Sequence, residues 1–201
     1  MPKVVDHEQR RRELARAVWQ VIRERGIEAA SVRAVAAKAG WSHGSVQYYF
    51  STQAELLNFA MSVITDEAEQ RVDRMRLPTD PIQAALAVLE RLLPLDPDAR
   101  TANELWVAFL SRVLVDPAAR ELNTAGNERL AGLLRDQLWR LDSAGLLPAG
   151  LDLELEADRL HALFDGIALQ AVTDPARMTP ALARKVIGYH VETLLRSGGT
   201  R

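Results

Sequence analysis

The stretch Ala39–Phe50 reads AGWSHGSVQYYF. It holds two glycines, two serines, a histidine, a glutamine and a pair of tyrosines, and it lies between two apolar-patterned runs. Most of these side chains offer a hydrogen-bonding edge or a flat ring. None stands at the spacing of a metal-ligand set or of a nucleophile with its base. Upstream, Ser31 is placed to cap a short helix over VRAVAAKA that Gly40 stops, and Ser42 to cap another that runs through Tyr49. A helix, a tight turn and a second helix of about two turns is the arrangement that lays its second helix in a DNA major groove.

A helical projection of residues 43–49 divides the second helix. Ser45, Val46 and Tyr49 point broadly one way, and His43, Gly44, Gln47 and Tyr48 the other. Val46 is expected to pack against Val35, Ala36 and the preceding helix. The opposite face carries groove chemistry: the Gln47 amide matches adenine, and His43 matches a guanine N7 or a phosphate. Gly44 lets backbone approach the base edges. Tyr48 and Tyr49 present hydroxyls to phosphate oxygens, while Ser31, Ser42 and Thr52 stand at helix N-termini whose free amides favour anions. Arg33 is in reach of a guanine or of the backbone. Trp41 reads as packing at the turn or as a contact at the phosphate edge.

The run GIEAASVRAVAAKAGWSHGSVQYYFSTQAELL, residues 26–57, resembles the DNA-binding domain of TetR-family transcriptional regulators. The pattern of that family runs Gly-Val-Ser-x-Gly-x-Leu-Tyr-x-His/Tyr-Phe-x-x-Lys-x-x-Leu, and the likeness covers about residues 8–60. The resemblance implies that Arg33, His43, Gly44, Ser45, Gln47, Tyr48 and Tyr49 occupy operator-contacting positions. Gln47 departs from the tyrosine of many members, which alters base preference. Gln53 replaces a phosphate-gripping lysine, which removes one charge contact and flattens the salt dependence. Past residue 60, ELWVAFLSRVLVDPAARELN and LFDGIALQAV are similar to the C-terminal domain of the betaine-synthesis repressor subgroup.

Bulk properties agree with a helical regulator. The 201 residues suffice for one or two domains with a core, and 48% are apolar. Without cysteine, a disulfide scaffold, a thiolate metal site and a cysteine nucleophile are excluded. No apolar run is long enough to cross a bilayer, and residues 1–12 are polar and basic with no apolar segment behind them, so a cytoplasmic location and no membrane partner are expected. Residues 1–55 hold nine Lys and Arg against six Asp and Glu, a balance of +3 that leaves −5 for the rest of a chain whose net charge is −2. A basic head on an acidic body is what one phosphate-facing end requires, although solvated helix faces account for much of it too.

Helices are expected at 8–25, 32–39, 43–49 and 53–75, then at 81–93, 99–115, 118–144, 153–173 and 179–196, with breakers at Pro94, Asp116-Pro117, AGLLPAG and DPARMTP. The fold class is all-α: an N-terminal helix-turn-helix domain over 1–54 and a helical effector-binding and dimerisation domain over 55–201. The last two helices are wider in apolar surface than one buried stripe requires, and Gly166, Ala168 and Ala171 permit close approach. A homodimer through these helices is therefore expected, since one recognition helix reads too few base pairs alone.

Trp106, Phe109, Trp139 and Phe164 serve either as core or as walls of a cavity for a small-molecule effector. His161 and His190 have no second histidine or carboxylate at a spacing that demands a metal, and EADRLH is an ordinary helical cluster. No phosphate loop, triad or paired-histidine motif supports an enzyme, so neither cofactor nor metal is expected. The function read from the chain is a DNA-binding regulator, a repressor released from a pseudo-palindromic operator by an effector. A ligand-independent dimeric regulator is the alternative, and a small helical enzyme the remote one.

Overall fold

The computed structural model describes residues 7–26 and 29–196. Residues 1–6, 27–28 and 197–201, which the expected domains and the basic head include, lie outside the described residues. Among the described residues there are nine helices and no strand. They are α1 (His7–Arg25), α2 (Val32–Ala39), α3 (His43–Tyr49), α4 (Gln53–Asp73), α5 (Pro81–Leu92), α6 (Pro97–Val113), α7 (Pro117–Ser143), α8 (Leu153–Thr173) and α9 (Pro180–Arg196).

The expected boundaries hold to within about two residues, and the shifted starts of α6, α7 and α9 share a cause. Pro117, expected as a breaker, is the first residue of α7 instead, and Pro97 and Pro180 open α6 and α9 in the same way. Proline is suited to that position because its fixed φ is helical and the missing N–H would have no partner there. Each such proline, like Pro81 of α5, comes directly after a capping residue. Asp80 accepts the Gln83 N–H at 2.8 Å, Asp96 the Ala99 N–H at 2.8 Å, Asp116 the Ala118 N–H at 3.0 Å, and Thr179 Oγ1 the Leu182 N–H at 3.2 Å. The Ala99 amide, with Arg91 nearby, holds the Asp96 carboxyl below the usual carboxylate range against the opposing effect of burial.

The chain forms two compact units. One comprises Met1–Asp66 with Ala108–Leu122, the other Glu67–Val107 with Asn123–Arg201. In the first, α1 buries Leu14, Val18, Val21 and Ile22 on one stripe, α2 adds Val35 and Ala36, and α4 adds Leu56, Leu57 and Met61. In the second, α5, α7, α8 and α9 enclose a core that includes Leu89, Leu134, Leu138, Leu160, Ile167 and Ile187. Asn103 of α6 is tied to it by donating from Nδ2 to the Ala168 carbonyl at 2.6 Å. Ion pairs between Arg184 and Glu90 (3.2 Å) and between Arg135 and Glu154 (3.0 Å) lie on its surface, where such pairs add little.

Not all the apolar surface of α8 and α9 is used inside the protomer. Leu155 and Leu169 on α8 are 57% and 42% exposed, and Tyr189 on α9 is 69% exposed. A Cβ placed on Gly166 or Gly188 would meet nothing within 4 Å. Leu155 and Leu169 stand on the side of α8 opposite its buried stripe (Ala157, Leu160, Phe164, Ile167, Ala171), so the helix carries apolar residues on two faces.

The second core sets two measurable properties of stability. Leu160 is fully buried, and Leu160→Ala should cost about 2–5 kcal/mol in urea unfolding, through lost transfer energy and a residual cavity. His190 is held below the ordinary imidazole value, chiefly by burial, with Arg159 adding to the effect and Glu156 opposing it. Between that lowered value and about 6.5 the unfolded chain binds the extra proton and the folded chain does not. Stability from this group is thus present above about pH 6.5 and is lost as pH falls below it. Thermal melting followed from about pH 7.5 to about pH 5.5 should show a decline that His190→Gln reduces.

Candidate nucleic-acid interface

The site is built around the turn between α2 and α3. The last turn of α2 closes with Gly40 in the left-handed region at φ 70°, a conformation that suits glycine. The Gly40 N–H donates to the Ala37 carbonyl at 3.4 Å and the Trp41 N–H to the Ala36 carbonyl at 3.0 Å, the paired bonds of a Schellman stop. Two residues on, Ser42 Oγ accepts the Ser45 N–H at 3.1 Å and lies 2.7 Å from Ser45 Oγ. At the other end, the Phe50 N–H closes α3 on the Val46 carbonyl at 2.9 Å.

A helix of seven residues does not stand alone in water, so its position must come from packing. Val46 is fully buried, as are Val35 and Ala36 on α2, which packs on α1 on one side and α3 on the other. Phe50 is buried with its ring 4.8 Å from that of Phe59 on α4. The start of α4 is also fixed: Thr52 Oγ1 accepts the Glu55 N–H at 3.1 Å, and Glu55 Oε2 accepts the Ser51 N–H at 2.7 Å. This reciprocal pair is a capping box displaced by one residue.

The buried side of α3 leaves its other side uncovered. His43, Gly44, Ser45, Gln47 and Tyr48 are exposed, Tyr48 by 81%, and Tyr49 is half-buried. Ser45, projected onto the packing side, is instead exposed, since it stands about 100° around the helix from Val46, and its hydroxyl lies beside that of Ser42. Arg33, Ser42 and Thr52 are exposed as well, and Ser31 is half-buried with Oγ accepting the Ala34 N–H at 3.2 Å. All ten sequence-selected residues thus belong to one unit, and nine of the ten lie between the start of α2 and the cap of α4, after the Ser31 cap. Three of them, Ser31, Ser42 and Thr52, already spend a side-chain oxygen on a helix cap. A hydroxyl so used still has its proton to donate to a phosphate.

Two features around the turn have no local sequence signal. The Arg10 guanidinium of α1 lies over the Trp41 ring at 5.2 Å, and Trp41 lies 6.1 Å from Tyr49. Lys38 of α2 pairs with Glu24 of α1 at 2.5 Å, which lowers the Glu24 carboxyl below its ordinary value. Both link residues too far apart in sequence for any helical spacing to reveal them.

The four rings selected for an effector cavity divide differently. Phe109 is fully buried in the first unit. Trp106, Trp139 and Phe164 belong to the second, where Phe164 is in the core, Trp106 is half-buried and Trp139 is 46% exposed with the Arg135 guanidinium 6.0 Å above its ring. Among the described residues no group of three or more histidines and carboxylates is placed to hold a metal ion. His161 Nε2 and Asp165 Oδ1 are 3.9 Å apart. No helix of the described residues is long and apolar enough to cross a membrane.

Known proteins match this chain in two stretches. Residues 14–59 match the sequence model for bacterial regulatory proteins of the tetR family, and residues 81–196 match that for the C-terminal part of BetI-type transcriptional repressors. The chain is 36% identical over 195 residues to the HTH-type transcriptional regulator PksA of Bacillus subtilis, covering 96% of this chain and 94% of that protein. It is 30% identical over 199 residues to the HTH-type transcriptional regulator BetI of Stenotrophomonas maltophilia, covering 98% of each. Its fold is similar to the crystal structure of a transcriptional regulator from Rhodococcus sp. Rha1, with a TM-score of 0.78 and 30% identity over 95% of this chain and 98% of that one. The geometry of the α2–α3 turn and these matches together make the chain a member of the TetR family, a DNA-binding transcriptional regulator with a BetI-type C-terminal part.

Proposed function

We propose that the protein is a homodimeric, cytoplasmic repressor that binds a pseudo-palindromic operator and leaves it when a small molecule binds its C-terminal part. The observation that carries the DNA-reading half is the division of α3, with Val46 buried and His43, Gly44, Gln47 and Tyr48 uncovered. In this reading Gln47 pairs with a base and His43 meets a guanine or a phosphate, while Gly44 and Ser45 let the backbone come close. Arg33, Tyr48, Tyr49 and the capped N-termini at Ser31, Ser42 and Thr52 fix register on the phosphates. Residues 1–54 act as the DNA-binding domain and 55–201 as the effector and dimerisation domain.

The outer face of α8, where Leu155 and Leu169 are exposed and Gly166 is open to close approach, supports pairing through α8 and α9. A twofold axis there supplies two recognition helices, which must stand about 34–36 Å apart to meet successive major grooves. The BetI-type match, whose description names repressors, supports repression. For the effector, Trp106 and Phe164 offer apolar contact within the second unit, and Trp139 a half-open ring. Buried acceptors there, Gln137 Oε1 and Glu156 Oε2, have no hydrogen-bond partner, as polar groups that orient a ligand would. An effector preferring the state whose recognition helices are wrongly spaced shifts the population off DNA without any catalytic step.

A mobility-shift titration with duplexes from the region upstream of the protein's own coding sequence tests the reading, and a retarded band that weakens with salt is expected. The absence of such a band, with selection from a randomised duplex pool also yielding no bound sequence, would overturn it. Gln47→Ala should relax discrimination at one operator position by roughly 1–3 kcal/mol and leave the others unchanged. Gly166→Trp should yield a folded protomer of half the dimer mass in sedimentation, with operator affinity reduced by at least about a hundredfold, since each half-site then binds alone.

A further inference from the structure

Trp41 occupies the turn itself, and its backbone is immobilised by the bond to the Ala36 carbonyl. One face of its ring carries the Arg10 guanidinium at 5.2 Å. Its ring stands 6.1 Å from that of Tyr49 at 58°, and Tyr49 meets Tyr48 edge to face at 5.5 Å and 87°. Four side chains thus form a continuous run from α1 to the exposed phenol of Tyr48, which is 81% uncovered. A direct contact of α3 with DNA does not by itself require such a run. An exposed tyrosine ordinarily samples several rotamers, and ordering it on binding costs affinity. Packed edge-on against a ring that is itself held, it loses that freedom beforehand.

We propose that Trp41, clamped between Arg10 and Tyr49, is a positioning residue that orders Tyr48 before DNA arrives and thereby sets operator discrimination. The inference rests on the reading of α3 as the DNA contact. Arg rather than Lys suits the outer position, because the planar guanidinium stacks on an indole while the ammonium is a compact, strongly hydrated charge. The stack acts on discrimination more than on general affinity. A fixed phenol accepts only the backbone path of a matching site, whereas a mobile one adapts to many.

The test uses full-length protein and a duplex selected by the parent from a randomised pool, with single-base-pair variants of it. Trp41→Phe keeps an aromatic ring, Trp41→Leu removes it, and Arg10→Ala removes an exposed cation. Trp41→Leu and Arg10→Ala should each reduce the ratio of affinities for selected over altered duplex by roughly three- to tenfold. Trp41→Phe should restore most of it. The loss from Arg10→Ala should vanish in the Trp41→Leu background, because the guanidinium then has no ring to hold. The slope of log affinity against log salt should stay at the parent's value in Trp41→Leu.

Three results would overturn the proposal. The first is a ratio unchanged in Trp41→Leu or in Arg10→Ala. The second is a uniform affinity loss for every duplex that tracks a fall in melting temperature, which is what a merely structural ring gives. The third is an Arg10→Ala effect that persists in Trp41→Leu with a slope lower by about one, which would make Arg10 a phosphate ligand instead. Failure of the parent to select any duplex would overturn the reading of α3 itself, and so is distinguishable from all three.

Discussion

The backbone reversal at Gly40 is the constraint on which the DNA-reading unit depends. With φ at 70° it sends the chain back across the end of α2, and the Trp41 amide reaches the Ala36 carbonyl only in that geometry. A side chain in the left-handed region costs about 1–2 kcal/mol, so another residue here would oppose the turn at every step of folding. Ser42 then starts α3 two residues later, leaving no slack in which the helix could change direction. One apolar residue decides the orientation of α3: Val46 faces inward, and the period of the helix dictates that Gln47 and Tyr48 face out.

Placement by packing has a consequence for charge. The ends of α2, α3 and α4 come within a short stretch of chain, so their free amides lie in one basic segment, and three side-chain oxygens cap rather than seal them. The +3 balance of residues 1–55 adds to this partial positive charge, while the remaining −5 keeps the rest of the chain from competing for phosphate. Glu55 is the exception. Its carboxylate accepts the Ser51 amide at the start of α4, so one favourable anion site is already occupied from within.

Much of this is legible in the sequence because it is local. Caps at Ser31, Ser42 and Thr52, the stop at Gly40, and the stripe Leu14, Val18, Val21 all depend on spacing within a few residues. The starts of α6 and α7 come earlier than their apolar pattern suggests, because a capping aspartate and an N1 proline begin a helix together rather than end a break. Ser45 leaves the packing side because the buried side of so short a helix is narrow, centred on Val46, and a residue about 100° away already meets solvent. The rings at 106, 109, 139 and 164 share a type, and type says nothing about which unit a residue joins or whether Trp139 is half-exposed.

The Arg10–Trp41 contact marks the boundary of what spacing can reveal. Its partners sit on different elements, and it forms only after α1 and α2 have packed and the turn has placed the indole beside α1. Each condition is encoded locally: the stripe of α1, the buried Val35 and Ala36, the left-handed Gly40. Their product is not. A tertiary contact of this kind adds little to stability, since an exposed cation over a ring contributes about 0.5–1 kcal/mol. Its leverage is geometric, because the ring it steadies adjoins the residues proposed to face the groove. In the proposed reading a weak interaction at that place influences which sequence is bound, whereas a stronger one in the core around Leu160 influences only whether the unit folds.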